Sequence, residues 1–311
     1  MLEEISKCIN EDIFPKLRTR GLTVFLVGGG QESLTSVREP IRKELINRPY
    51  HNWLDVYYPE ELFEELILSR AHFDLLSLEN LLAKSVHAVV IILESPGAIA
   101  ELGAFANHKG LRDKLIVVVD KKYRKAKSFI VLGPVRYLKE NTKSLVLFHN
   151  LRKPQIKRLG SEIRHSVRKI SEGIRVDTSV TNPIVAQHFL LAAIYVMEPV
   201  QREILNNMIQ VLRVRPYKKV ITIVISSLNI LLHQRQVLLK DGKYQLTTEG
   251  LARLRLTVEL EPEGRNIQHS LDKLRVKILD HTLRGKNYGK VRRGSSDLRP
   301  ASARMVVRHP G

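Results

Sequence analysis

The chain has 311 residues, 51 Lys and Arg against 32 Asp and Glu for a formal charge of +19, and 43% hydrophobic residues. No apolar run approaches the roughly 18 residues that mark a membrane helix, and the amino terminus MLEEISKCINED is too acidic and polar for a signal peptide, so a cytoplasmic protein is expected. A single cysteine, Cys8, excludes a disulfide framework and a cysteine-based zinc site, and the length suggests about two domains. The charge is uneven: residues 1–120 carry a net −5 and the remainder +24. A basic surplus of that size calls for phosphates, so nucleic acid is the expected partner; a basic surface that serves only solubility is the plainer alternative.

In chain order, Leu22–Val27 reads as a buried strand closed by Gly28-Gly29-Gly30. That loop lets backbone amides approach a ligand, but it can equally be a bare strand-to-helix turn. The third glycine of the dinucleotide fingerprint is missing, position 33 being Ser. Arg38 then meets a phosphate or sits on a solvated face, at the start of a helix expected over 39–48. Asp55–Tyr58 makes a further strand, in which alternation lets only one of Tyr57 and Tyr58 face a ligand. Amphipathic helices are expected over 59–69 and 74–84, the second carrying Glu79, either a partner for ribose hydroxyls or an ordinary solvated acid. His87–Leu93 and Lys114–Val119 complete the strands of a doubly wound parallel α/β domain, which binds ligands at the carboxyl ends of its strands. Ser95-Pro96-Gly97 turns the chain there, and a helix over 100–108 places Glu101 in its first turn. In that position the helix dipole would hold the carboxylate ionised, although an ordinary first-turn acid reads the same way. Gly103 would let this helix lie close to a neighbour.

Residues 121–175 carry a net +13. Within them Ile156–Ile170 has helical apolar spacing, with Lys157, Arg158, Arg164, Arg168 and Lys169 on the polar faces as phosphate contacts. After Thr181-Asn182-Pro183 the chain is helix-rich, although the β-branched run Val220–Ile225 fits a helix poorly. Asp241-Gly242 between alternating runs marks a hairpin that presents Lys243. Three helices and a hairpin resemble a winged helix-turn-helix domain, whose third helix would bring Ser227, Asn229, His233 and Gln234 to base edges. From Glu263 the chain is basic, and disorder is expected from Arg292 onward. No histidine spacing suggests a metal site. The expected division is therefore an α/β domain at 1–150, a basic helical connector at 151–198, a winged helix at 199–262 and a basic tail at 263–311.

The segments TVFLVGGG, DVYYPEELFEELI, LLSLENLLA, ESPGAIAELGAFAN, LRDKLIVVVD and KSFIVLGPVR recur in that order over about residues 22–137. SPGAIAELGAF after an apolar strand and a Gly-rich turn resembles the active-site signature of the nucleoside deoxyribosyltransferase-like superfamily. The full ordered set is similar to the nucleoside deoxyribosyltransferase-like effectors of type II-A retrons. That resemblance implies an antiphage toxin that cleaves the N-glycosidic bond of NAD, with NAD as substrate and no cofactor. Control would lie with a reverse transcriptase and its multicopy single-stranded DNA, in a higher-order assembly. By the resemblance, Glu101 would be the catalytic carboxylate acting at C1′, while Gly28, Gly29, Tyr57, Glu79, Ser95 and Gly97 would line the substrate cleft and Ser128 is a weaker candidate. A deoxyribosyltransferase or hydrolase acting on deoxynucleotides, and a non-catalytic nucleotide sensor that binds DNA, are the alternatives.

Overall fold

The computed structural model describes residues 1–17, 21–29, 36–47, 53–62, 81, 85–259 and 262–294, with side chains through residue 284 except at 282. Five parallel strands form one sheet: β1 (Leu22–Val27), β2 (Leu54–Tyr57), β3 (Ala88–Ile92), β4 (Leu115–Asp120) and β5 (Leu145–His149), in the spatial order β2-β1-β3-β4-β5. Val24 on β1 aligns with Val56 of β2 on one side and Ala88 of β3 on the other. This order reverses direction between β1 and β3, and at such a switch point a crevice opens beyond the carboxyl ends of the strands.

Side-chain alternation divides the sheet between two cores. Val24, Leu26, Val56, Val90, Ile92, Ile116 and Val118 face α3 (Arg38–Leu45) together with Leu159, Ile163, Val167 and Ile170 of a later helix, α6 (Ile156–Ser171). The opposite face, with Phe25, Val27, Tyr57, Val89, Ile91 and Val117, is covered by α4 (Pro96–Asn107) and by Leu138 of α5 (Arg136–Asn141). Thus α6, which falls in the stretch read as a connector, is a structural layer of the α/β lobe. Of the helices expected over 59–69 and 74–84, residues 59–62 are helical, as are 81 and 85; residues 63–80 and 82–84, Glu79 among them, lie outside the described residues.

The second lobe is helical. α7 (Pro183–Met197) is apolar on every side and buried at most positions, as befits the centre of a bundle. Asn182 caps it by accepting from the Ile184 amide at 3.0 Å, while its Nδ2 donates to the Ser85 carbonyl of the first lobe at 3.3 Å. Around α7 pack α1 (Leu2–Cys8), α2 (Phe14–Leu17), α8 (Arg202–Gln210), α9 (Tyr217–His233), α10 (Thr248–Glu259) and α11 (Gly264–Gly294). Phe14 meets Phe189 edge to face at 6.1 Å. The first seventeen residues therefore belong to the carboxyl-terminal lobe in their packing. The run Val220–Ile225 is helical after all, because burial on several sides outweighs the small propensity penalty of β-branched residues. Residues 264–294 of the stretch read as a basic tail form one helix, docked through the buried Ile267, Leu271 and Ile278; it runs through Arg292 and Arg293, where disorder was expected to begin, and residues 295–311 lie outside the described residues.

The hairpin is present: β6 (Val237–Lys240) pairs with β7 (Lys243–Leu246) through Asp241 and Gly242, both at positive φ, and Val200 adds a bridge to Tyr244. α10 starts against this hairpin at Gly250, where a Cβ would lie 1.9 Å from the Gln236 carbonyl oxygen. No helix among the described residues is long and apolar enough to cross a membrane. Gly250→Ala must push α10 off the hairpin and is expected to lower stability by about 1–3 kcal/mol in urea denaturation; an unchanged midpoint would contradict this packing.

Candidate active site

The crevice at the β1–β3 switch point is built around a carboxylate the sequence did not single out. Glu94 follows β3 and reaches across to the loop after β1. Its Oε1 accepts from the Gly29 amide at 2.9 Å and from the Ser36 hydroxyl at 2.7 Å, and its Oε2 accepts from the Val37 amide at 2.7 Å. One side chain so ties together both ends of the β1–α3 loop. Gly28 is required by this approach, since a Cβ there would sit 2.9 Å from Glu94 Oε1 and 3.2 Å from the Arg38 side chain. The Gly28-Gly29 turn is therefore fitted to an internal carboxylate, and Gly29 spends its amide on that contact.

α4 begins at Pro96, four residues before the expected start. Ser95 caps it, its Oγ accepting from the Ala98 amide at 3.1 Å and lying 3.4 Å from the Gly28 carbonyl as donor. The Ser95 hydroxyl, expected on substrate, is thus occupied in joining the two loops. Gly97 is exposed in the first turn. Gly103 faces open space and serves no close packing.

The earlier helix start moves Glu101 out of the first turn into the second, so the dipole argument for an ionised carboxylate does not hold. Its surroundings act in the opposite direction. Burial, and next the negative charge of Glu60, push its pKa up to about 7, while Arg38 pulls it partly back. Arg38 is neither solvated nor free for a phosphate. Its buried guanidinium pairs with Glu60 at 2.5 Å and lies 4.1 Å above the Tyr58 ring, and Arg42 covers the same ring at 4.4 Å. Tyr58 donates to Glu39 at 2.5 Å, so the strand's second tyrosine belongs to this charged cluster. Tyr57, the one expected in the substrate cleft, points to the other face: it is buried, and its hydroxyl accepts from Gln187 Nε2 at 2.8 Å. The structure thus joins Gly28, Gly29 and Ser95 through the loops that Glu94 ties, sets Glu101 within electrostatic reach of Arg38 and Glu60, and buries the Tyr57 hydroxyl against Gln187. Glu94 carried no sequence signal as the residue after an apolar strand, and Arg38 read as a phosphate contact or a solvated residue, so neither showed the partner it has in the fold.

Of the basic residues expected to meet phosphates, Lys157, Arg158, Arg168, Lys169 and Lys243 are exposed; Arg158 pairs with Glu162, and Arg168 lies over Trp53 at 5.0 Å. Arg164 turns inward and clamps α3, donating to the Glu44 carbonyl at 2.9 Å and its carboxylate at 3.1 Å. Ser227 and Asn229 of α9 are buried, Ser227 donating to the Pro183 carbonyl at 2.7 Å, and Ile225 and Ile230 join the core under the sheet. That face of α9 packs on the α/β lobe and is unavailable to a DNA groove. Ser128 is exposed. Among the described residues no cluster of His, Cys, Asp and Glu could hold a metal ion.

A family model described as STM3845 retron effector protein matches residues 34–238. The chain is 31% identical over 286 residues to the Escherichia coli protein named "Retron Ec86 putative ribosyltransferase/DNA-binding protein", covering 87% of this chain and 89% of that one. It is 37% identical over 125 residues to "Retron Ec73 putative ribosyltransferase/DNA-binding protein", also from Escherichia coli, covering 38% of each.

Removing the Glu94 carboxylate strands two backbone amides, so Glu94→Ala is expected to cost about 2–4 kcal/mol, measured by urea denaturation. The raised pKa of Glu101 means the fold favours its protonated form. Its stabilising contribution is complete below about pH 4.5 and is lost as pH rises through about 7. Glu101→Gln, permanently neutral, is expected to match the wild type at pH 4.5 and to exceed it at pH 8 by about 1–3 kcal/mol, less where solvent reaches the carboxylate. A destabilised variant at pH 8 would contradict this environment.

Proposed function

The chain belongs to the STM3845 retron effector family, and on that premise we propose that it cleaves the N-glycosidic bond of a nucleotide at C1′ of the ribose, with NAD as substrate and Glu101 as the catalytic carboxylate. The observation that carries this reading is Glu101 itself, half-buried at the switch point, its pKa raised to about 7 by burial and then by Glu60, with Arg38 offsetting part of both. Nicotinamide in NAD is a cationic pyridinium. Its departure with the bonding electron pair yields neutral nicotinamide and needs no general acid, but it leaves an oxocarbenium-like sugar. An adjacent carboxylate stabilises that cation or captures it covalently, and water then completes hydrolysis. A cationic substrate beside Glu101 also favours its ionised form, so the group that folding leaves half protonated at neutral pH is charged when the bond breaks. Names that pair ribosyl transfer with DNA binding in the two relatives support both halves of this reading.

The second lobe would hold the protein on its partners, which we take to be the retron reverse transcriptase and its DNA. We read the order α7, Val200, α8, α9, β6, β7 as a winged helix; the bridge from Val200 to Tyr244, in place of a first strand, supports that reading. Since the face of α9 that carries Ser227 and Asn229 is buried, contact falls to the hairpin with Lys243 and to the exposed cations of α6.

Incubation of the protein, alone and with its reverse transcriptase and DNA, with NAD should release nicotinamide. Glu101→Gln should lower the rate at least about a hundredfold, and kcat/KM should rise with pH through about 7 as the carboxylate ionises. Base exchange on deoxynucleosides without nicotinamide release would move the substrate to the deoxynucleotide class, and neither activity in the complete assembly would remove the enzymatic reading. Lys157→Glu with Lys169→Glu should weaken DNA binding and reduce its salt slope by about one per lost phosphate contact. Unchanged binding would take α6 out of the interface.

A further inference from the structure

A cavity of about 320 Å³, lined by both apolar and polar side chains, lies where the two lobes meet. Its walls are the outer strand β2 and the end of α3 on one side, and α7, the α9–β6 turn and α10 on the other. The volume is at the lower end of the range for small-molecule sites, and boundaries between lobes are a common place for them.

Its polar groups are mostly donors. Arg253 on α10 projects from a half-buried position and enters no ion pair among the described residues. Arg42 spends Nη1 on Glu61 at 2.9 Å, but its buried Nε–H has no hydrogen-bond partner. Gln236 donates to the Gln234 carbonyl oxygen at 2.7 Å, leaving the amide group of Gln234 to donate. His188, 7% exposed, is kept neutral by burial and by Arg253, so it adds dipoles and no charge. Asp55, the acid on the wall, already has a partner. Buried donors without acceptors are costly, and a guanidinium beside amide donors matches a tetrahedral oxyanion.

We propose that this inter-lobe cavity is a binding site for a small phosphate-bearing ligand, held through Arg253 and Gln234 with the Arg42 guanidinium on its wall. The site is separate from Glu101 and does not depend on the reaction proposed there. It is nevertheless one aromatic ring from that cleft. Arg42 stacks on the Tyr58 ring that Arg38 also covers, and Arg38 pairs with Glu60, so a ligand engaging Arg42 touches the cluster that sets the charge at Glu101.

Isothermal titration of the full chain carrying Glu101→Gln, with inorganic phosphate and with AMP, tests the site without interference from turnover. Saturable binding is expected, weakened at least tenfold by adding Arg253→Gln and several-fold by Gln234→Ala. The second variant lies at a partly exposed position and remains readable should the first fail to fold. AMP binding well above phosphate identifies a nucleotide, and equal affinities identify the free anion; both support the site. No saturable binding of either probe, or affinities indifferent to both substitutions, would overturn it. Because no reaction is measured, failure of this site and failure of the glycosidic chemistry are distinguishable.

Discussion

The bond set of Glu94 is the contact on which the crevice depends. Parallel strands place their following loops at one edge of the sheet but leave those loops free to splay. Here one carboxylate, accepting from Gly29, Ser36 and Val37, closes the loop after β1 and anchors it to the end of β3. Hydrogen bonds to a carboxylate are worth more than neutral ones, and the two backbone amides would otherwise lie part-buried without this acceptor. The Ser95 cap, placed one residue later, repeats the link to Gly28 and fixes where α4 begins. With both loops fixed, Arg38 is held against Tyr58, and Glu101 faces them from the second turn of α4.

This arrangement settles a competition over Glu101. A first-turn carboxylate gains from the helix dipole; a second-turn carboxylate gains little, because the effect fades within a turn. Burial then dominates, Glu60 adds repulsion, and Arg38, committed to Glu60, offsets only part of both. The result is a group poised near neutrality. Such poise would suit the proposed role, in which the carboxylate is negative opposite a positively charged sugar yet sits in a partly dry cleft without a dedicated counter-ion.

Much of the α/β lobe was legible because its strands are short β-branched runs bounded by turn residues, and β1 to β4 lie within a residue or two of where that pattern places them. β5 was not, since Leu145–His149 is an edge strand only partly buried along its length and lacks the signal of a covered strand. Arg38 and Glu94 were legible as residue types but not as partners, because their meaning comes from chain segments brought together across the sheet. Arg164 shows the same limit: amphipathic spacing put it on a polar face without revealing that α3 lies against that face. In the second lobe the hairpin was announced by Asp241-Gly242, whereas the burial of α9 follows from the docking of two lobes and has no local signature. The uneven charge divided differently from the packing, since the basic helix α6 is part of the acidic half's fold while the acidic first helices belong to the other lobe.

The account turns on the state of one side chain. Carbon-13 NMR titration of the Glu101 carboxyl, assigned by comparison with Glu101→Gln, measures it without reference to any substrate. The burial and charge pattern around α4 predict a midpoint near 7; a midpoint in the ordinary glutamate range would mean that solvent reaches the carboxylate freely and that the crevice is not built as described.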